Sequence, residues 1–423
     1  MTAAAWKRSR LGDLLEIKHG YAFKGEFFSG EGEFVLLTPG NFREEGGLKL
    51  KGEKEKYYTG EIPDDFVLRK GDLLIAMTDL TQNAPILGSP AFVPENGRFL
   101  HNQRLGKVTN IRCDEVIPEF LFYLFNTATV RGQIKGSAAG ATVRHTSPAR
   151  MYDVSVEIPP LVLQRRIAGI LSAYDDLIEN NQRRIKILEE MARSLYREWF
   201  IHFRFPGHDK VKIVPSLLGP IPQGWNSVSI DDVCELVTDG SHSSPKSVDE
   251  GLPMASSKDM HDWGLNLDTC RHISREDFDQ LVRNGCKPQK NDVLITKDGA
   301  NYLKRIFVMR EELELVLLSS VAILRPNKRI NPHLLTAILS APENKDRLKN
   351  YVTGAAIPRI ILSDFKQFQI VLPSQEVQGA WAKIGEPITQ LCWRLIEQTT
   401  NLRRTRDLLL PRLLTGQIAV GSE

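Results

Sequence analysis

The sequence predicts an α+β protein in which two duplicated globular domains are held by two long helices. The helices are expected to pack antiparallel as a coiled coil, with the two halves of the chain related by a pseudo-twofold axis. Two observations carry this prediction: a continuous apolar heptad pattern in the middle of the chain, and a set of landmarks that recurs later in the same order. A helix with one apolar stripe needs a partner to bury it. The recurrence supplies that partner near the end of the chain.

The first long helix is predicted over about residues 160–205. Apolar residues there alternate at spacings of four and three over more than four heptads, which is typical of a coiled-coil seam. About 40 residues at 1.5 Å each would form a helix roughly 60 Å long. The seam consists of Ile167, Leu171, Tyr174, Ile178, Asn181, Ile185, Leu188, Ala192, Leu195 and Trp199.

A tandem duplication is indicated by landmarks at a nearly constant offset. Asp72 and Asp292 lie 220 residues apart in similar aliphatic segments, and Gly140 and Gly354 lie 214 apart in similar small-residue loops. Several landmarks in one order at such an offset are unlike chance resemblance. Further matched pairs are Leu11–Ile17 with Ile230–Leu236, Pro118 with Pro332, Ile158-Pro159 with Leu372-Pro373, and Gln164 with Gln378.

The duplication predicts a second long helix over about residues 375–414. Its seam is less regular, because Gly385, Thr399 and Arg406 occupy places that are apolar or aromatic in most of the first seam. Pro387 is expected to bend its first turns. The apolar seam residues are Trp381, Ile388, Cys392, Leu395, Leu402 and Leu409.

Within the first globular domain, short apolar runs separated by Gly, Pro and Asn predict mostly strands. Strands are expected at residues 34–37 and 154–158, a turn leading into a buried strand is expected at residues 71–77, and a helix is expected to begin at Pro118. Residues 11–17 are expected to form a short strand or a turn-flanked segment. Residues 136–142 are expected to form a loop of small residues.

Composition is that of an ordinary globular protein. The 423 residues are 42% hydrophobic and 25% charged, and the formal charge of +3 permits nucleic-acid binding without showing it. The five cysteines are scattered and never form a C-x-x-C pair, which predicts reduced thiols and a cytoplasmic location. No secretory leader is expected at the first residues, and no apolar run approaches 18 residues.

Several motifs carry a resemblance to a known family. They are residues 11–13 and 20–24 in the first domain, and residues 238–242, 290–299 and 354–359 in the second. The two long helices add residues 198–203 and 410–418. In these motifs, and in the order of the duplicated parts, the chain resembles the specificity subunit of type I restriction–modification enzymes. The resemblance covers essentially the whole sequence.

The resemblance implies a non-catalytic, sequence-specific DNA-recognition subunit. Each domain would read one half of a bipartite, asymmetric site, while the helices set the spacing and dock methyltransferase subunits. The implied partners are double-stranded DNA, two methyltransferase subunits and the restriction/translocase subunits. This chain would bind no cofactor; S-adenosylmethionine, ATP and Mg²⁺ would act in the partner subunits. The implied boundaries are 1–158 and 206–373 for the target recognition domains, 159–205 for the central helix, and 374–423 for the C-terminal helix and tail.

The same resemblance implies that loops of each domain contact DNA. Small polar residues, cations and aromatic rings suit contacts with phosphates and base faces, and the forked donors of Gln and Arg can read adenine and guanine. Ordinary turns with Phe23 in the core are the alternative. The predicted DNA contacts are Tyr21, Phe23, Lys24, Gln103, Arg104, Arg144 and His145 in the first domain, and Thr238, Asp239, Ser241, His242, Lys246, Lys297, Asp298 and Arg359 in the second.

The aromatic end of the first helix exceeds what its seam requires. Interfaces favour aromatic residues. Trp199, Phe200 and Phe203 are therefore predicted to bind the methyltransferase.

Two other functional classes remain open from the sequence. One is a single-chain DNA-modifying or DNA-cleaving enzyme with an unrecognised catalytic motif, and the other is a coiled-coil adaptor without DNA affinity. Asp13, Glu16 and Lys18 weakly resemble nuclease residues, but the duplicate has Val237 in place of the lysine. His261, Cys270, His272 and Cys286 match no standard zinc spacing, and no metal site is predicted.

Overall fold

The computed structural model describes residues 6–354 and 358–418, which fall into two compact units. The first unit contains the described residues up to Asn180 together with those from Thr399 onward, and the second unit contains Asn181 to Gln398. Each unit therefore combines one globular repeat with a part of both long helices. None of the described helices is long and apolar enough to cross a membrane. All five cysteines are free thiols.

The first repeat is built mainly from short strands. Its helices are α1 (Leu11–Leu14), α2 (Pro118–Phe125), α3 (Ala128–Ser137) and α4 (Pro148–Tyr152). Its strands are β1 (Lys7–Arg10), β2 (Glu16–His19), β3 (Phe28–Ser29), β4 (Phe34–Leu37), β5 (Tyr57–Tyr58), β6 (Leu73–Ala76), β7 (Thr78–Asp79), β8 (Pro90–Phe92), β9 (Phe99–His101), β10 (Leu105–Thr109), β11 (Arg144–His145) and β12 (Ser155–Ile158).

Two four-stranded sheets organise the first repeat. One has the order β2-β10-β6-β8 and is antiparallel throughout; the other has the order β3-β5-β4-β9. Strand β6 is buried along its whole length, because helix α2 covers one of its faces and the second sheet covers the other. The predicted strands at 34–37, 71–77 and 154–158 are confirmed, as is the helix beginning at Pro118.

Two local expectations need correction. Residues 11–14 form a helical turn, and only the end of the 11–17 segment lies in a strand, β2. Asp13 accepts a hydrogen bond from the backbone N–H of Arg10 (3.1 Å) and caps the turn. The small-residue loop begins only after Ser137, because α3 is capped by the Thr127 hydroxyl and continues past Gly136.

The second repeat contains the same kinds of element. Its helices are α6 (Ile230–Val233), α7 (Arg275–Arg283), α8 (Pro332–Ser340), α9 (Pro342–Leu348) and α10 (Leu362–Lys366). Its strands, with those of the preceding linker, are β13 (Ile213–Val214), β14 (Ile221–Pro222), β15 (Asn226–Ser229), β16 (Cys234–Asp239), β17 (Leu252–Ala255), β18 (Met260–His261), β19 (Gly264–Leu265), β20 (Arg271–Ile273), β21 (Val293–Thr296), β22 (Ile306–Val308), β23 (Val316–Leu317), β24 (Val321–Pro326), β25 (Val352–Thr353), β26 (Arg359–Ile360) and β27 (Gln369–Leu372).

The duplication is visible in the strand order. The central sheet of the second repeat, β16-β24-β21-β22, matches β2-β10-β6-β8 of the first strand for strand. The first strand of each repeat also pairs antiparallel with the last, β1 with β12 and β15 with β27. Each pair delivers the chain directly into a long helix.

Both long helices are present, as α5 (Leu161–Tyr196) and α11 (Gln375–Leu414). The ten seam residues predicted on α5 and its final turn are all buried or half-buried, as are the nine seam places on α11, including Gly385, Thr399 and Arg406. Helix α11 is assigned without a break at Pro387. Helix α5 ends in a π-helical turn at Arg197–Ile201, which the periodicity did not predict.

Within each unit the two helices run in opposite directions. In the first unit, Ile167 near the start of α5 shares a core with Leu413 at the end of α11, and Asp175 pairs with Arg406. In the second unit, Phe200 beyond the end of α5 lies 6.2 Å from Trp381 near the start of α11, between ring centroids. The predicted antiparallel packing is therefore confirmed inside each unit.

Candidate nucleic-acid interface

One edge of the central sheet in the second repeat brings together predicted residues that are far apart in sequence. Strands β16 and β21 both pair antiparallel with β24, so their carboxyl ends meet at the same edge. Asp239 ends β16, and Lys297 follows β21 directly. The Lys297 ammonium lies 2.6 Å from Asp239 Oδ2 and 3.8 Å from Asp298 Oδ1.

The two carboxylates at this edge also contact exposed side chains. Asp239 Oδ1 lies 3.2 Å from His242 Nε2, and Asp298 Oδ2 lies 3.5 Å from Arg359 Nε. The backbone links the same loops, because Asp298 and Arg359 form a β-bridge. Five of the predicted DNA-contacting residues therefore form one cluster: Asp239, His242, Lys297, Asp298 and Arg359. We call this set the charged edge.

The members of the charged edge differ sharply in exposure. The side chains of Lys297, Asp298 and Asp239 are 4%, 12% and 13% exposed, whereas those of Arg359 and His242 are 58% and 72% exposed. Burial raises the pKa of the Asp298 carboxyl, although the charges of Lys297 and Arg359 oppose that rise. The prediction that Lys297 contacts DNA is therefore corrected, because its ammonium is enclosed by protein.

The first repeat builds the same edge from different residues. Thr78 bridges His145 where Asp298 bridges Arg359. The backbone N–H of Met77 donates to Arg104 O (3.0 Å), as that of Lys297 donates to Ser320 O (2.8 Å). Met77 and Thr78 thus replace Lys297 and Asp298. The two repeats share a backbone framework at this edge but present different chemistry.

A glycine allows a close backbone crossing at each edge. A Cβ on Gly20 would lie 2.2 Å from Asn102 O, and a Cβ on Gly240 would lie 2.2 Å from Leu317 O. The next residue forms a parallel bridge in both repeats, Tyr21 with Asn102 and Ser241 with Leu318. The glycine-led loops named from the sequence are therefore fixed against the sheet edge.

Most of the remaining predicted residues in the first repeat are accessible. Lys24, Gln103, Arg104 and His145 are exposed, and the Tyr21 side chain is 37% exposed. Phe23 is only 7% exposed and packs edge-on against Tyr58, with ring centroids 4.7 Å apart. Its predicted DNA contact is wrong for this conformation, because the ring belongs to the core.

Two further predicted residues, Arg144 and Ser241, have local structural bonds. Arg144 is half-buried and donates from Nη2 to Lys135 O (2.8 Å) near the end of α3. Ser241 is 6% exposed and its hydroxyl donates to Ser243 O (2.9 Å), so its predicted DNA contact is also corrected. Thr238 is half-buried inside β16, whereas Lys246 is exposed.

Some predicted residues have counterparts in the other repeat that the sequence motifs do not indicate. Ser319 and Ser320 occupy the places of Gln103 and Arg104, since Ser319 N–H donates to Ser241 O as Gln103 N–H donates to Tyr21 O. Thr78 was missed as the counterpart of Asp298. Adding or subtracting the repeat offset for each predicted residue would have identified these counterparts.

The aromatic residues predicted to bind a partner lie inside the second unit. Trp199 and Phe200 are each 7% exposed, and the Phe200 ring centroid lies 5.8 Å from that of Trp225. Phe203 is half-buried and packs edge-on against Trp225 at 5.6 Å. The predicted partner contact of Trp199 and Phe200 is wrong for this conformation, because both rings lie in the core of the second unit.

The weak nuclease resemblance has a structural explanation. Asp232 accepts hydrogen bonds from the backbone N–H (2.8 Å) and hydroxyl (2.7 Å) of Ser229, and Asp13 caps the equivalent turn. These bonds lower the pKa of the Asp232 carboxyl. Both aspartates therefore recur as helix caps. Among the described residues, no group of three or more His, Cys, Asp or Glu is arranged to hold a metal ion.

Comparison with known proteins agrees with the duplicated architecture. The family model described as "Type I restriction modification DNA specificity domain" matches twice, over residues 4–190 and 222–402. This chain belongs to that family. It is therefore a DNA specificity protein with two target recognition domains. In type I systems such subunits are non-catalytic, and the catalytic activities reside in partner subunits.

Individual relatives extend the similarity to nearly the full length. The EcoBI specificity subunit of Escherichia coli is 25% identical over 98% of this chain and 86% of its own length. The MjaIX specificity subunit of Methanocaldococcus jannaschii is 25% identical over 73% of this chain and 70% of its own. The crystal structure of a specificity subunit from M. genitalium has the same fold, with a TM-score of 0.62, 15% identity, and coverage of 98% of this chain and 97% of that one.

Proposed function

We propose that each repeat of this specificity protein reads one half of a bipartite, asymmetric DNA site. The observation that carries this proposal is the pair of equivalent sheet edges: one presents Tyr21, Lys24, Gln103, Arg104 and His145, and the other presents His242 and Arg359. Base edges are read by such donors and acceptors. Because the two sets differ, the two half-sites differ.

The long helices are proposed to set the distance between the half-sites. Two-fold readers engage half-sites whose spacing follows from protein geometry. Helix α11 has 40 residues, or about 60 Å at 1.5 Å each, which exceeds one turn of DNA at about 34–36 Å. The half-buried Asp175–Arg406 pair supports a fixed register, since a polar pair at a helix seam disfavours other alignments.

Methyltransferase subunits are proposed to dock on the exposed apolar residues of the helices. On the part of α5 in the second unit, Ile187 and Met191 are 52% and 54% exposed, whereas the neighbouring seam residues Leu188 and Ala192 are half-buried. Apolar residues left exposed beside a filled seam suit a protein interface. This surface replaces Trp199 and Phe200 in our account of docking.

The full assembly is proposed to contain two methyltransferase subunits and the restriction/translocase subunits on double-stranded DNA. S-adenosylmethionine, ATP and Mg²⁺ are assigned to those partners. The free cysteines suit a reducing compartment, so we place the assembly in the cytoplasm.

The experiment that tests half-site reading is a domain exchange. Residues 1–158 are replaced by the matching domain of a related subunit, and the methylated motif is read by sequencing DNA from cells that also express the methyltransferase. We expect one half of the motif to change and the other half and the gap to stay. If the exchange rewrites both halves, the domains are not independent readers.

A heptad insertion tests the role of the helices separately. Seven residues are added at matching places in α5 and α11, which lengthens each helix by about 10 Å, or roughly three base pairs. We expect a longer gap between two unchanged half-sites. A changed half-site with an unchanged gap would contradict the proposed role.

A further inference from the structure

The charged edge contains one buried cation, the ammonium of Lys297. The Lys297 side chain is 4% exposed, and its ammonium lies 2.6 Å from Asp239 and 3.8 Å from Asp298. A buried ammonium is strongly unfavourable unless it is paired. The lysine therefore requires both carboxylates to stay near their observed places.

Each of those carboxylates in turn holds a side chain that reaches solvent. Asp298 contacts Arg359 through Nε, and Asp239 contacts His242 through Nε2. Lys297 is thus one contact removed from both exposed side chains. Its burial is explained if its role is to fix their orientation.

The orientation of Arg359 suits recognition of a particular base. Its Nε faces Asp298 Oδ2 at 3.5 Å, and the Arg359 side chain is 58% exposed. Two parallel N–H groups from one guanidinium match the O6 and N7 acceptors of guanine in the major groove. A carboxylate behind the guanidinium restricts its rotation, which favours that paired contact over a loose phosphate contact.

We propose that the second repeat reads a guanine with Arg359 and that Lys297 is a positioning residue for this contact. The proposal rests on the proposed function of the two repeats as half-site readers. The first repeat has Met77, Thr78 and His145 at the three corresponding places, so it lacks this network. The Lys297-dependent guanine belongs to one half-site only.

The test uses the complete methyltransferase complex and two kinds of readout. The methylated motif of the unaltered protein is read first, and binding is then measured on duplexes that carry each base at each position of the second half. Arg359→Lys retains the charge but loses the fork. It is expected to reduce discrimination for guanine at one position by about 10-fold to 100-fold, with affinity for unrelated DNA retained.

Lys297→Met introduces the residue found in the first repeat. We expect discrimination at the same guanine to fall by about 10-fold, with the first half read as before. Because this change leaves two carboxylates facing each other, the double variant Lys297→Met with Asp239→Asn separates loss of positioning from misfolding. Lys304→Met, at an exposed lysine nearby, is the matched control and is expected to leave the motif unchanged.

The outcomes distinguish this inference from the proposed function. A second half-site without guanine overturns the inference, and so does unchanged discrimination in Arg359→Lys. Full discrimination in both Lys297 variants overturns the positioning role. In each case the domain exchange can still alter a single half-site, which would preserve the proposed function. Should that exchange rewrite both halves, the proposed function fails instead.

Discussion

Replacing Phe200 with alanine distinguishes a core residue from a partner contact. The ring is 7% exposed and lies within 6.3 Å, between centroids, of the rings of Tyr196, Trp199, Trp225 and Trp381. Burying such a side chain contributes about 1.5–3 kcal/mol, and the cavity and lost ring contacts raise the total cost of Phe→Ala to about 3–5 kcal/mol. We expect the free energy of unfolding of the second unit to fall by about 4 kcal/mol.

The distribution of tryptophan makes this change measurable in the full chain. Five of the six tryptophans, at positions 199, 225, 263, 381 and 393, belong to the second unit. Tryptophan fluorescence during urea unfolding therefore reports mainly on that unit. Because the chain has two compact units, the unfolding transition of the second unit must be fitted separately from that of the first.

The control is Phe27→Ala, at an exposed ring in the first repeat. It is expected to leave the tryptophan-reported transition within about 0.5 kcal/mol of the parent. A Phe200→Ala protein of unchanged stability that fails to capture the methyltransferase would refute the reasoning. That result would restore Phe200 to the docking surface.

Further predictions concern the helix seam, the glycine crossings and buried histidine. Arg406→Ala leaves the half-buried Asp175 without its cation and is expected to destabilise the first unit by about 2–3 kcal/mol. Arg404→Ala, at an exposed position, is the control and is expected to change little. The free energy of unfolding of both variants is measured by urea unfolding followed by circular dichroism. Gly240→Ala forces a Cβ to within 2.2 Å of a carbonyl oxygen and is expected to lower the melting temperature. Gly169→Ala, in an open part of α5, is expected to stabilise the fold by about 0.5–1 kcal/mol. A stabilising Gly240→Ala and a destabilising Gly169→Ala would contradict the crossing geometry. His101 is buried and its pKa is lowered to about 4, chiefly by burial, so the unfolded chain binds the extra proton between pH 6.5 and about 4. Stability of the first unit should therefore fall by up to about 3 kcal/mol as pH drops through that window, and His101→Leu, which copies Leu317 of the second repeat, should flatten the slope in pH-dependent unfolding.

The architecture was predictable because its signals are periodic or repeated. The seam of α5 is fixed by a spacing that only a long helix satisfies, and the matching sheets follow from landmarks that recur at one offset. A period places a residue on a face without knowledge of distant partners. The seam positions of α11 remain buried or half-buried even where Thr399 and Arg406 replace apolar residues.

The accessibility of site residues was much less predictable. Lys297 was named as a DNA contact, but it is enclosed by Asp239, which precedes it by 58 positions and approaches only through the pairing of both strands with β24. Phe23 and Ser241 are also buried. The sequence of a loop does not show which of its side chains face the sheet. The seam period places Trp199 at a buried position, but it does not reveal the π-helical turn or the burial of Phe200 beside Trp199.

The most direct test of the account is a chain in which both readers are the same. Residues 206–373 are placed at the position of residues 1–158, both long helices are retained, and the methylated motif is read in cells that express the methyltransferase. If two equivalent repeats each read one half-site through a two-fold arrangement, the new motif is an inverted repeat of the original second half, with the guanine assigned to Arg359 occurring in both halves. A motif that keeps the original first half, or that contains the second half only once in an otherwise asymmetric site, would contradict the account.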